Sequence, residues 1–139
     1  MKFHEAANAL FGLRRFGTRP GTDATAALLA HLDNPHEEIP CVQVAGTNGK
    51  GSTARMVESI LREAGLSVGL YTSPHLDDVS ERVRVNGRPL RDSALVSFVE
   101  AVEAYITDRA VEGEPPTFFE TLTALALREF EQQDVDGAV

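Results

Sequence analysis

The chain has 139 residues, 42% hydrophobic and 24% charged, with 13 lysines and arginines against 21 aspartates and glutamates. That length suffices for one buried core and favours a single domain. A formal charge of −8 argues against a dedicated nucleic-acid binder, which carries a basic surface, so an anionic ligand must be held by local positive features.

The opening "MKFHEAANALFGLRRF" sets Glu5 and Asn8 where a secretory signal needs a continuous apolar core. Nothing farther on approaches the roughly 18 apolar residues of a membrane span. "GTDATAALLAHLDNP" is expected to be a helix capped by Thr22 or Asp23, with Leu28, Leu29 and Leu32 on one side and Pro35 as its stop. "IPCVQVAG" then alternates Val42 and Val44 about Gln43, as a strand does. Its Cys41 is the single cysteine of the chain. That excludes an internal disulfide, points to the cytoplasm, and suggests a packed, inert thiol.

From Ser52, the residues Met56, Val57, Ile60, Leu61 and Ala64 recur at helical spacing, with Gly65 as C-terminal cap. "LSVGLYTS" reads as a second strand. Strand, glycine-rich turn, helix and strand make a βαβ unit, so the two strands are expected to be parallel. "ERVRVNGRPL" puts Val83 and Val85 on one face and Arg82 and Arg84 on the other, and Asn86-Gly87 signals a hairpin. A helix follows from about Asp92, carrying Leu95, Phe98, Val99, Val102 and Ile106. A second helix begins at Thr117 and Glu120, which stand in capping-box spacing. The closing "VDGAV" reads as the start of another buried strand. The expected fold is α/β: a parallel sheet flanked by helices, with a phosphate loop after its first strand and a β-hairpin near 82–90.

The turn "GTNGKGST" carries the chemistry. Free N–H groups at a helix N-terminus point at an anion, and the helix dipole adds roughly half a positive charge. Glycines let the main chain wrap a phosphate without Cβ clashes. Lys50 would reach the β- and γ-phosphates of a nucleotide, and Ser52 or Thr53 would offer a hydroxyl to magnesium. The spacing departs from the usual G-x-x-x-x-G-K-[ST] pattern. Val44 replaces its first glycine, and Gly51 stands between Lys50 and Ser52.

That departure resembles the nucleotide loop of the Mur ligase superfamily, in its folate branch of folylpolyglutamate and dihydrofolate synthases. "NPHEEIPCVQVAGTNGKGSTARM", "GLYTSPHLDDVSERVRVNG" and "PTFFETLTALAL" are similar to three further segments of that family. The resemblance runs from about Gly21 to Val139. It implies that residues 1–139 form an incomplete N-terminal ATP-binding domain, with the C-terminal glutamate ligase domain absent from this chain. It places ATP phosphates on Gly46, Thr47, Asn48, Gly49, Lys50, Gly51, Ser52 and Thr53, with Lys50 catalytic, and magnesium on Ser52 and Ser73. Pro74, His75 and Leu76 match a substrate loop. Arg82 matches a cation that orients anionic substrate or phosphate, its alternative being an exposed strand residue. Thr117 and Phe119 match a pterin pocket, the alternatives being a helix cap and a core phenylalanine. Asp77, Asp78 and Glu81 read as a solvated acidic face.

The implied reaction is ATP-dependent addition of L-glutamate to folate or dihydropteroate by a monomeric cytoplasmic enzyme, with neither nucleic acid nor membrane as partner. Two alternatives stay open: another Mur-type amino-acid ligase, and a non-catalytic nucleotide-binding fragment. The 139-residue chain alone is expected to be inactive.

Overall fold

The structure, a computed structural model, describes residues 1–73 and 78–139. These residues gather into two compact units, Met1–Pro35 with Arg91–Arg128, and His36–Leu90 with Glu129–Val139.

The first unit is helical. Helix α1 (Phe3–Gly12) continues into a 3-10 turn, Leu13–Phe16, and neither was anticipated. Ala6, Ala7 and Leu10 are its buried residues, a spacing of one, three and four that marks a helix face. Helix α2 (Asp23–His31) buries Leu28 and Leu29. It stops before Pro35 because Asp33 and Asn34 turn left-handed, at φ +65° and +53°, and Asn34 N–H bonds Leu29 O at 2.8 Å. Helix α4 (Asp92–Val111) buries Leu95, Phe98, Val99 and Val102 as expected. Helix α5 (Phe118–Gln132) belongs to this unit as far as Arg128. Its Leu122 and Leu125 are almost fully buried.

The second unit holds the sheet. Helix α3 (Lys50–Glu63) leads to strand β1 (Val68–Tyr71), which is followed by the hairpin strands β2 (Val83–Val85) and β3 (Arg88–Pro89) and by β4 (Gly137–Ala138). The order is β3-β2-β1-β4. Strand β1 runs parallel to β4 and antiparallel to β2, with Leu70 opposite Arg84. The sheet is therefore mixed: its hairpin half is antiparallel and its β1–β4 half parallel. Asn86 and Gly87 turn the hairpin with φ of +51° and +78°, the left-handed pair that a two-residue turn requires. Asn86 does more, since its Oδ1 accepts from Val68 N at 2.8 Å and pins the turn to β1.

The strand expected within 39–46 shows one parallel bridge, between Cys41 and Ala138. Val42 N–H donates to Ala138 O at 2.8 Å and Ala138 N–H to Pro40 O at 2.9 Å. The βαβ expectation survives in altered form: Cys41 and β1 are both parallel to β4 but are not neighbours. Cys41 is exposed rather than packed. Its thiol donates to Ile39 O at 3.4 Å.

Helix α3 starts two residues earlier than expected and buries a different face. Ala54 and Glu58 are buried, whereas Met56 and Ile60 are 60% and 68% exposed. At 100° per residue, the stripe Ala54–Val57–Glu58–Leu61 is rotated by about 80° from the expected one through Met56, Val57, Ile60, Leu61 and Ala64, with which it shares Val57 and Leu61. Glu58 tolerates burial because Arg62, one turn on, donates to it at 2.9 Å.

Candidate functional site

After its single bridge the chain runs irregularly through Val42–Gly49 into α3. Gly49, the N-cap, stands at φ +73°, ψ +10°, a left-handed conformation that costs other residues about 1 kcal/mol or more. Thr53 N–H bonds Gly49 O at 3.0 Å. The amides of Lys50, Gly51 and Ser52 therefore precede the first helical hydrogen bond and stand at the positive end of a 14-residue helix. Lys50 arcs backwards, and its Nζ donates to Gly46 O at 2.7 Å, closing residues 46–50 into a ring that carries a cation.

Gly51 adds a telling detail. A Cβ there would meet no protein atom within 4 Å. A helical glycine costs roughly 1 kcal/mol against alanine, and no contact among the described residues repays that. Bare backbone at this helix start leaves room for an anion, and the residues present are compatible with a nucleotide phosphate. Thr47, Asn48, Ser52 and Thr53 are all exposed beside it. The hydroxyl of Ser52 is a hard oxygen donor of the sort that suits magnesium alongside phosphate oxygens and water.

Ser73 is exposed, just beyond the end of β1. Thr72 before it donates its N–H to Arg82 O at 2.9 Å. Arg82 itself is buried, at 8% exposure, and ends a 3-10 turn spanning Val79–Arg82. It is thus neither exposed nor in a strand. Asp78 caps that turn, its Oδ1 accepting from Ser80 N at 2.8 Å. Among the described residues no three histidines, cysteines or acids gather as a metal-binding group. Pro74, His75, Leu76 and Asp77 lie outside the described residues.

Gly46–Thr53, Ser73 and Arg82 thus belong to the second unit, and Thr117 and Phe119 to the first. Thr117 is the helix cap its spacing suggested. Its Oγ1 accepts from Glu120 N at 3.2 Å, and Glu120 Oε2 accepts from Thr117 N at 3.3 Å. Phe119 is 51% exposed and is no core residue, while Phe118 is buried and stacks on Phe11 at 5.6 Å.

One group of contacts here was invisible in the sequence. Arg19 Nε and Nη2 donate to the two oxygens of Glu120 at 2.8 and 3.0 Å, and Nη2 also donates to Pro115 O at 2.9 Å. Burial pushes the Glu120 carboxyl up, but the hydrogen bonds from Arg19 and Thr117 together outweigh it and hold the group below its ordinary range. Arg19 is shifted up in turn, chiefly by its hydrogen bond to Glu120. The partners lie 101 positions apart, and no local pattern links them.

No helix of the described residues is long and apolar enough to cross a membrane. No protein-family model matches the chain. It is 60% identical over 139 residues to a probable bifunctional folylpolyglutamate synthase/dihydropteroate synthase of Haloferax volcanii, covering 100% of this chain and 17% of that protein. It is 38% identical over 130 residues to a dihydrofolate synthase/folylpolyglutamate synthase of Bacillus subtilis, covering 92% and 30% respectively. Among solved structures, a folylpolyglutamate synthetase from Lactobacillus casei superposes with a TM-score of 0.90 at 35% identity, over 100% of this chain and 35% of that one. An FPGS–AMPPCP–folate complex gives a TM-score of 0.85 at 34% identity, over 100% of this chain and 34% of the other. The chain thus spans from 17% to 35% of the length of these proteins.

Proposed function

We propose that this chain, kin in sequence and fold to the folylpolyglutamate and dihydrofolate synthases, supplies the ATP-phosphate site of a ligase joining L-glutamate to folate or dihydropteroate. The observation that carries the proposal is the junction at Gly49–Lys50. A left-handed glycine, unused helix amides and a returning lysine converge there. A relative of the same fold forms a complex with AMPPCP and folate, which supports both the nucleotide and the pterin-bearing substrate.

The substrate carboxylate attacks the γ-phosphorus of ATP, the bond to the bridging oxygen breaks, and ADP leaves with that electron pair. The acyl phosphate so formed is attacked at its carbonyl carbon by the glutamate amine. The tetrahedral intermediate loses a proton and expels inorganic phosphate, leaving an amide. In the first step Lys50 releases Gly46 O and follows the charge on the transferred phosphoryl group, while the amides of Lys50, Gly51 and Ser52 hold the phosphates in line. This is positioning plus electrostatic stabilisation. Ser52 and Ser73 are the hydroxyls we assign to magnesium, which when bound would screen the phosphate charge. Arg82 and the segment Pro74–Leu76 are assigned to the substrate, as are Thr117 and Phe119.

The test is Lys50→Ala in the complete enzyme, assayed for ADP release with magnesium-ATP, glutamate and either folate or dihydropteroate. The variant should lose more than about tenfold in kcat, roughly 1.4 kcal/mol of barrier or more. Lys50 is exposed, so the fold should survive. Retention of nearly full kcat would overturn the assignment, and turnover of neither pterin substrate by the wild type would favour another amino-acid ligase.

A further inference from the structure

We infer that Arg19 and Glu120 are positioning residues for the pterin-side substrate, acting through the first turn of α5. The inference rests on the assignment of Thr117 and Phe119 to that substrate's pocket. A capping box needs only the threonine and the glutamate, and an exposed glutamate completes it as well as a buried one. Here Glu120 is 6% exposed, and taking a carboxylate out of water is costly unless it is paired and hydrogen-bonded. Both of its oxygens are taken by the Arg19 fork, at 2.8 and 3.0 Å, and one also receives Thr117 N–H.

The same guanidinium holds Pro115 O. Arg19 therefore grips the chain on both sides of Thr117, at Pro115 and at Glu120, and brackets the stretch that carries Phe119. Within the bracket the two phenylalanines face differently. Phe118 turns inward onto Phe11, and Phe119 keeps half its surface in solvent. An exposed aromatic ring is a stacking surface for a planar heterocycle, and its direction depends on how firmly the first helical turn is held. A bidentate arginine–carboxylate pair fixes that turn in angle as well as distance, which a single lysine contact cannot do. The loop delivering Arg19 is itself shaped, for Gly17 and Gly21 flank it at φ +68° and +92°, backbone that other residues rarely adopt.

The experiment compares Arg19→Lys, Glu120→Gln and Phe119→Leu with wild type in the complete enzyme. Folate or dihydropteroate is varied at saturating magnesium-ATP and glutamate, and then ATP is varied in turn. In Arg19→Lys and Glu120→Gln the KM for the pterin substrate should rise by about tenfold, with the KM for ATP within about twofold of wild type. A lower melting temperature with both KM values unchanged would make the bracket purely structural and overturn the inference. So would an equal rise in both KM values. If Glu120→Gln is too unstable to assay, Arg19→Lys decides alone, because it keeps a cation opposite Glu120. Phe119→Leu separates the two layers. A raised pterin KM there, with the bracket variants like wild type, would sink the positioning role and spare the pocket. No change in Phe119→Leu would remove the pocket assignment and the inference with it.

Discussion

Gly69 lies in the middle of β1, opposite Val85 on one side and Ala138 on the other. The ring of Phe130 packs flat on it: a Cβ added there would stand 2.6 Å from both Cε1 and Cγ of that ring. Phe130 is 1% exposed and has nowhere to go. Gly69→Ala should therefore destabilise the chain by about 1–3 kcal/mol, the usual cost of overpacking a closed core. Adding Phe130→Leu should restore part of the loss, since the two changes share one space. Urea midpoints measure both, and a Gly69→Ala midpoint equal to wild type would refute the packing argument. Cys41 offers a second check. Although the residue as a whole is exposed, partial burial pushes its thiol up. Less thiolate then exists at neutral pH, so iodoacetamide should react more slowly than with a free cysteine, and the rate should reach half-maximum above pH of about 8.5. A midpoint at or below that value would contradict the burial. Neither property was legible in the sequence. Gly69 looked like any strand residue, because its constraint comes from Phe130, sixty-one positions away. Cys41 was misplaced because Val42 and Val44 alternate as in a buried strand, whereas the pairing present is one bridge to Ala138.

At the scale of elements, the start of α5 couples a helix cap to a pH dependence. Glu120 has its folded pKa below the unfolded value. Its contribution to stability is thus complete above the unfolded pKa, roughly 4.3, and disappears as pH falls through the lower folded value. Melting temperatures of wild type and Glu120→Gln should differ at pH 7 and converge in acid. A gap that stays constant down to pH of about 3 would show that the Arg19 pairing is not what shifts the group. What was legible at this scale follows a simple division. The capping box, the Asn86-Gly87 turn and the glycine-rich entry to a helix are written in neighbouring residues; the first two stand as read, and the helix after the third begins at Lys50 rather than Ser52. The bracket by Arg19 and the insertion of β4 between Cys41 and β1 depend on residues 69 to 101 positions apart. The face of α3 failed for a subtler reason. Met56 and Ile60 do make a helical stripe, but Ala54 and Glu58 lie against the rest of the second unit instead, with Arg62 neutralising the glutamate. Burial there follows the ion pair rather than hydropathy alone.

The whole chain combines a formal charge of −8 with that exposed stripe. Met56 and Ile60 are i and i+4 on α3, and both are more than half exposed. Adjacent apolar side chains on one helix face favour contact with a second copy, whereas like net charge opposes it. Which wins depends on screening. The Debye length shrinks from about 10 Å at 0.1 M salt to about 3 Å at 1 M, so repulsion between copies fades while the apolar contact does not. The 139-residue chain should therefore sediment as a smaller species in dilute salt and associate as sodium chloride is raised. Most salt-weakened associations show the opposite sign, so the direction is diagnostic. Met56→Lys combined with Ile60→Glu should abolish the association at 1 M salt and leave the melting temperature unchanged, because neither side chain contributes to the core. A wild-type chain that stays monomeric at every concentration in both salts would show that the stripe is too small to act. Association that persists undiminished in the double variant would place the contact elsewhere, with the Val42 edge beside β4 as the next surface to change.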